Sequence, residues 1–170
     1  LTPSRARARD AILRGTVEVN GIVASKPHQP VGATDIITLY DPAAGYVSRS
    51  ALKLIAGLDA GAIDPTGRTC LDLGASTGGF TQVLLERGAS RVIALDVGHG
   101  QLAASVRSDG RVSVVEGSNA RYLTAATLAA ESGVDETPSL VVGDLSFIGL
   151  PVVLPALVET VGKAADFVLL

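Results

Sequence analysis

One cysteine, no methionine, no tryptophan and only 4% aromatic residues occur in this 170-residue sequence. Cys70 stands alone, which excludes a disulfide scaffold. No period recurs in the glycine or leucine positions, which argues against a repeat or collagen-like chain. Charged residues are sparse at 18%, against 47% hydrophobic, and a chain of that balance folds rather than staying disordered. Long apolar runs are missing too. The richest stretch, 150–161, is interrupted by Pro151, Pro155 and Glu159, well short of the roughly 20 uninterrupted residues of a membrane span. No leader of signal type opens the chain, so the cytoplasm is the expected compartment and no membrane partner is expected. No Cys/His cluster supports zinc or another metal. The absence of methionine and the stop at Phe167-Val168-Leu169-Leu170, within an apparent strand, make both ends read as cut.

Charge is short overall but unevenly spread. The net charge is −3. Residues 1–40 hold five basic against three acidic residues, net +2, and the remainder nets −5. A basic start on an otherwise acidic chain keeps nucleic acid open as a partner.

Ser4 reads as the N-cap of a helix running to about Arg14 and closed by Gly15. Arg5 and Arg9 fall on one face of it, with Arg7 and Arg14 beside them. Thr16 to Val19 alternates like a strand, Asn20-Gly21 is a strong hairpin turn, and Ile22 to Ala24 returns. A polar connection with Lys26, Pro27, His28 and Pro30 leads to a strand at Asp35 to Tyr40. This α-then-β unit of residues 1–41 is small to stand alone. Asp41-Pro42-Ala43-Ala44-Gly45 carries the signal of a linker to a second domain, 46–170.

Helices and strands alternate from there. Ser48 is the expected cap of a helix to about Ala60, with Leu52, Ile55 and Leu58 facing the core. Strands are expected at 69–73, 91–95, 112–115, 140–142 and 166–170, and helices at 80–88, 101–107, 124–132 and 150–161. Such alternation predicts an α/β fold with a parallel sheet and helices on both faces.

Between the first of these strands and its helix lies Gly74-Ala75-Ser76-Thr77-Gly78-Gly79-Phe80. Glycines at a strand-to-helix turn let backbone approach a ligand, and the helix N-terminus favours an anion. Asp96 ends the next strand about 20 residues on, where a carboxylate can take ribose hydroxyls. Together these point to a cofactor of adenosine type. Ser76 occupies the middle glycine position of G-x-G-x-x-G, which weakens the dinucleotide reading and suits S-adenosylmethionine, whose carboxylate takes the place of the pyrophosphate. A tight structural turn is the alternative.

Four blocks then become specific. They are 72–81 (Asp72 to Thr81), Asp96-Val97-Gly98-His99-Gly100-Gln101-Leu102, Asn119-Ala120-Arg121 and Asp144-Leu145-Ser146-Phe147-Ile148. In this order they resemble the TlyA (hemolysin A) family of ribosomal RNA 2′-O-methyltransferases, whose catalytic domain is FtsJ-like. Gly15 to Gly21, Lys26-Pro27 and Asp35 to Ile37 resemble the S4-type RNA-binding module that precedes it, with its usual first helix expected upstream of Leu1. The resemblance covers nearly the whole chain and implies a Rossmann-like S-adenosylmethionine-dependent methyltransferase. It departs at 59–64, where a bulky aromatic is usual and this chain has small residues.

The resemblance implies S-adenosylmethionine held by Gly74, Ala75, Ser76, Thr77, Gly78, Gly79, Phe80, Asp96, Val97 and Asn119, with Glu116 also near the adenine. It implies ribosomal RNA or ribosomal subunits bound by Arg5, Arg7, Arg9, Arg14 and Lys26, through phosphate rather than base contacts. The family substrate is cytidine in 16S or 23S rRNA. Its Lys-Asp-Lys-Glu tetrad maps onto Lys53 and Asp144, with the second Lys and the Glu expected beyond Leu170, so the 170 residues by themselves are expected to be inactive. From the residues alone, Lys53 reads first as a solvated helix charge and Asp144 equally as a helix N-cap, and only the resemblance moves both toward catalysis. Which lysine serves as base is left open: a base must be neutral, and a carboxylate partner favours the charged form. Cys70 reads as buried, His28 as surface, and His99 as a loop residue near the adenosine. Three alternatives accompany this reading: an NAD-type oxidoreductase, a cytolysin, and an RNA-binding protein with an inert methyltransferase-like domain.

Overall fold

Two units make up the fold, Leu1–Gly45 and Tyr46–Leu170, in a computed structural model that describes residues 2, 4–145 and 149–170. In the first unit the Ser4 hydroxyl caps α1 (Arg5–Leu13) by accepting the Arg7 N–H at 3.3 Å. Gly15, at φ +72°, turns the chain out of the helix. Strands β1 (Val17–Val19) and β2 (Ile22–Val23) are antiparallel, joined by Asn20 at φ +51° and Gly21 at φ +79°. Two successive positive φ values match the right-handed twist of a hairpin, which is why Asn-Gly is favoured there. Asn20 does more than turn: its amide gives a hydrogen bond to Asp35 and takes one from the Ile36 N–H, at 2.8 and 2.9 Å. These ties seat β3 (Ile37–Leu39) on the other side of β1, giving the order β2-β1-β3. Ala11, Val17 and Ala24 form the small core.

The second unit begins with α2 (Ala51–Gly61). It starts later than expected; Ala51, Leu54 and Leu58 are buried and Ile55 packs partly buried against the same core, while Leu52 does not join it. The start of this helix lies close to α3 (Gly79–Glu86): a Cβ on Gly79 would stand 3.3 Å from the Ala51 backbone nitrogen.

The chain continues through β4 (Thr69–Leu73), α3 (Gly79–Glu86), β5 (Arg91–Asp96), α4 (Ala104–Arg107), β6 (Val112–Glu116) and a 3-10 turn at Ala120–Tyr122. It ends through α5 (Ala125–Ser132), β7 (Leu140–Gly143), α6 (Leu150–Val161) and β8 (Asp166–Leu169). The five strands are parallel in the order β6-β5-β4-β7-β8. Alternation along each strand feeds two cores. Cys70, Val92, Ala94, Leu140 and Val142 meet Leu54, Leu58, Val83 and Leu84 on one face. Leu71, Leu73, Ile93, Leu95 and Val141 meet Leu128, Val153 and Leu157 on the other. The expected α/β fold, with helices on both faces of a parallel sheet, is what the chain adopts.

Strand order reverses between β4 and β7, since β5 and β6 lie to one side and β8 to the other. Parallel sheets open a crevice beyond the carboxyl ends of their strands at such a switch point. Helix α4 is shorter than the expected 101–107, because residues 101–103 are held elsewhere. Leu102 is buried, and the Ala103 N–H bonds to the Thr77 carbonyl at 3.1 Å.

Candidate active site

At the end of β4 the backbone turns through Gly74 at φ +72°, and its N–H and that of Ala75 bond to the Leu95 carbonyl at 2.8 and 3.1 Å. A Cβ at Gly74 would meet the Asp144 carbonyl oxygen at 3.4 Å, so the loops after β4 and β7 run close together. Ser76 follows at φ +47°, a left-handed conformation that disfavours a side chain. Its N–H is held by Asp96 Oδ2 at 2.8 Å, while Asp96 Oδ1 accepts the Gly98 N–H at 2.7 Å. Both carboxylate oxygens are thereby oriented, and each keeps a lone pair for a further donor.

These loops wall a cleft of about 650 Å³, within the usual range for a small-molecule site. Gly74, Ala75, Ser76, Phe80, Asp96, Val97 and Asn119 line it, as do Ser48, Ser50, Gln101 and Asp144. Thr77, Gly78 and Gly79, expected as cofactor residues, do not line it. Packing constrains their glycines. A Cβ at Gly78 would meet Leu102 at 2.8 Å, and one at Gly79 would meet the Ser50 hydroxyl at 2.6 Å. Glu116 lines a small hollow that adjoins the cleft and shares Ser76, Asp96 and Gln101 with it; it pairs with Arg107 and accepts the Gly100 N–H at 3.0 Å. Asn119 lines the cleft and caps the 3-10 turn by accepting the Arg121 N–H at 3.0 Å. His99 is exposed, its ring against Gly117.

Lys53 and Asp144 come together at the cleft: Lys53 Nζ lies 2.8 Å from Asp144 Oδ2. Asp144 is the more enclosed partner, 22% exposed against 57% for the lysine. Beyond it, Ser146, Phe147 and Ile148 of the last motif block lie outside the described residues.

Sequence reasoning assigned Asp72 no role beyond the motif. It is fully buried in β4, where Thr81 Oγ1 donates to its Oδ2 at 2.6 Å and its Oδ1 has no hydrogen-bond partner. Burial pushes its carboxyl up to about 7, against the Thr81 hydrogen bonds, and the nearby Asp96 and Asp144 push the same way. The available signal was an acid in an otherwise apolar strand. The Cys70 thiol is buried and pushed up to about 12 by desolvation, as befits a core residue.

In the first unit Arg5, Arg7 and Arg9 are exposed along α1, and Lys26 is exposed in the loop after β2. Arg14 is different. It is half-buried and ion-paired to Asp10 at 2.6 Å and to Asp41 at 3.0 Å, which commits its guanidinium to holding this unit together. No group of His, Cys, Asp and Glu among the described residues is arranged to hold a metal. No described helix is long and apolar enough to cross a membrane.

A doubly covered parallel sheet, with its cleft at the switch point between a glycine turn and a strand-end aspartate, defines a Rossmann-like domain of methyltransferase type. The FtsJ-like methyltransferase model matches residues 46–168, and the S4 domain model matches residues 1–37. The chain belongs to the FtsJ-like methyltransferase family, and within it to the hemolysin A proteins. It is 50% identical to the 16S/23S rRNA (cytidine-2'-O)-methyltransferase TlyA of Mycobacterium tuberculosis, over 99% of this chain and 61% of that protein. It is 41% identical to Hemolysin A of Brachyspira hyodysenteriae, over 99% of this chain and 68% of that one. The crystal structure of a "putative hemolysin" from Lactococcus lactis superposes with a TM-score of 0.66 at 45% identity, covering 72% of this chain and 56% of its own. The chain thus spans about 61% of the length of its Mycobacterium relative.

Proposed function

We propose that this chain carries the cofactor cleft and RNA-docking surface of an S-adenosylmethionine-dependent rRNA methyltransferase, directed at the ribose 2′-OH of cytidine in 16S or 23S rRNA. The observation that carries this reading is the Lys53–Asp144 ion pair beside the cleft.

The cleft suits the cofactor by its donor set. Gly74, Ala75, Ser76 and Phe80 offer backbone and an apolar wall, Asp96 and Val97 a place for the ribose, and Asn119 a place for the adenine. Bound there, S-adenosylmethionine would supply the electrophilic methyl group. A ribose hydroxyl is a poor nucleophile, so the protein must align its oxygen and help it lose a proton. Lys53 spends one N–H on Asp144 and has others to hold that oxygen. Asp144 keeps the lysine at the cleft mouth by a charge-assisted hydrogen bond. Arg5, Arg7, Arg9 and Lys26 present phosphate-binding charge on the S4-like unit, with Arg14 supporting the fold beneath them. Ribosomal subunits as the partner imply a cytoplasmic place of work.

Full-length protein, extending past Leu170 and given methyl-labelled S-adenosylmethionine and ribosomal subunits, should transfer label to RNA. Lys53→Ala and Asp144→Ala should each remove that transfer. Undiminished transfer in both variants would overturn the assignment.

A further inference from the structure

Gln101 belongs to a motif block whose other members are accounted for, yet its own side chain has an unusual position. Its Oε1 accepts a hydrogen bond from the Ser76 hydroxyl at 3.3 Å. Its Nε2 lies over Gly98 so closely that a methyl group added there would run into the amide. The same added methyl would stand 3.2 Å from Asp96 Oδ1. Ser76 in turn gives its N–H to Asp96 Oδ2, and Gly98 gives its own to Asp96 Oδ1. Ser76, Asp96, Gly98 and Gln101 all line the cleft. The amide thus bridges the loop after β4 and the turn after β5, through its hydrogen bond to Ser76 and its close approach to Gly98, beside the carboxylate that both loops bond.

This arrangement explains two local irregularities. Ser76 holds a left-handed backbone without being glycine, pinned through its N–H and its hydroxyl. Residues 101–103 stay out of α4, which frees Gln101 to reach back over Gly98.

We propose that Gln101 is a positioning residue that selects a ribose-bearing cofactor, an inference that rests on the adenosyl-cofactor reading above. A vicinal diol needs acceptors for its two protons and a donor to its oxygens. Asp96 supplies the acceptors. The Gln101 amide nitrogen supplies the donor beside them, since its oxygen is already taken by Ser76. Gly98 is the residue that makes room for this.

Calorimetric titration with S-adenosylhomocysteine tests it, on wild type, Gln101→Ala and Gly98→Ala, together with the counterpart carrying a 2′-deoxyribose. Gly98→Ala keeps the amide but displaces it, at a backbone position with ordinary φ, so it guards against a folding artefact. Both variants should weaken binding about fivefold or more, the cost of one hydrogen bond of ordinary strength. Removal of the hydroxyl should cost wild type more than it costs Gln101→Ala. In turnover, KM for S-adenosylmethionine should rise while kcat at saturation holds. Affinities within twofold of wild type in both variants, or an equal hydroxyl penalty in wild type and Gln101→Ala, would overturn the role of Gln101 and leave the cofactor reading standing. No binding of S-adenosylhomocysteine to folded wild type would overturn both.

Discussion

Lys53 and Asp144, 91 residues apart in the chain, meet at 2.8 Å where α2 passes the carboxyl end of β7. Neither element alone places charge there. The helix must pack through Ala51, Leu54 and Leu58, and the strand must occupy the position beside β4. Those two placements bring an ammonium and a carboxylate to the mouth of one cleft, and the first prediction tests that convergence.

Lys53→Ala and Asp144→Ala should each lower methyl transfer by about 10²–10⁴-fold, the range for a positioned proton-handling group. The double variant should fall little further, because the two act as a unit. Thermal melts should move little, since an ion pair this exposed adds no more than about 1 kcal/mol. A collapse of the fold matching the loss of activity would assign the pair a structural role instead.

Asp72 predicts a pH dependence of stability. Its carboxyl is raised from 3.8 to about 7 in the folded protein. Between these values the folded state keeps the proton that the unfolded chain has released, so stability declines as pH rises through the window and levels off above it. The contribution is roughly 2–4 kcal/mol from end to end. Asp72→Asn, neutral at every pH, should remove that part of the slope in denaturant melts at pH 5 and pH 8. Identical slopes in the two proteins would place the buried proton elsewhere.

Gly79→Ala should destabilise the second unit. The new Cβ would stand 2.6 Å from the Ser50 hydroxyl and 2.8 Å from Ser48 Cβ, both close to backbone that must shift. Overpacking of this kind costs about 1–3 kcal/mol, read as a lower melting temperature. An unchanged melt would mean that the start of α2 yields freely.

The four arginines of α1 and its cap should separate into two kinds. Replacing Arg5, Arg7 or Arg9 by Ala should weaken RNA binding and lower the slope of log K against log salt by about one for each phosphate no longer neutralised, with the melt unchanged. Arg14→Ala should lower the melting temperature, because it removes the ion pairs to Asp10 and Asp41. An equal effect of all four on RNA and none on the melt would refute this division.

Much of this molecule was legible before folding. The strand-helix alternation, the hairpin at Asn20-Gly21, the Ser4 cap and the glycine turn after β4 are local events. Each rests on a residue whose own backbone or hydrogen-bonding preference suffices. The core face of α2 was legible in part: Leu58 is buried and Ile55 packs on the core, but Leu54 takes the place expected of Leu52, since both are leucines and only the packed neighbours distinguish them. The crowding at Gly78 and Gly79 was not legible either, because the side chains of Leu102, Ser48 and Ser50 that crowd them come from other segments.

The class of the fold, the order of its elements and the residues from which a site could be drawn all follow from local sequence. Periodicity and turn chemistry act over a few residues, and this chain follows them. Which charges are partnered depends on the packed fold. It tied Arg14 to Asp41, brought Lys53 to Asp144, buried Asp72 with one oxygen unpaired, and folded Gln101 over Gly98. These pairings join segments whose separation is set by strand order and helix packing. A Coulombic or hydrogen-bonded pairing has no counterpart in sequence spacing until the sheet has brought its partners within about 3 Å.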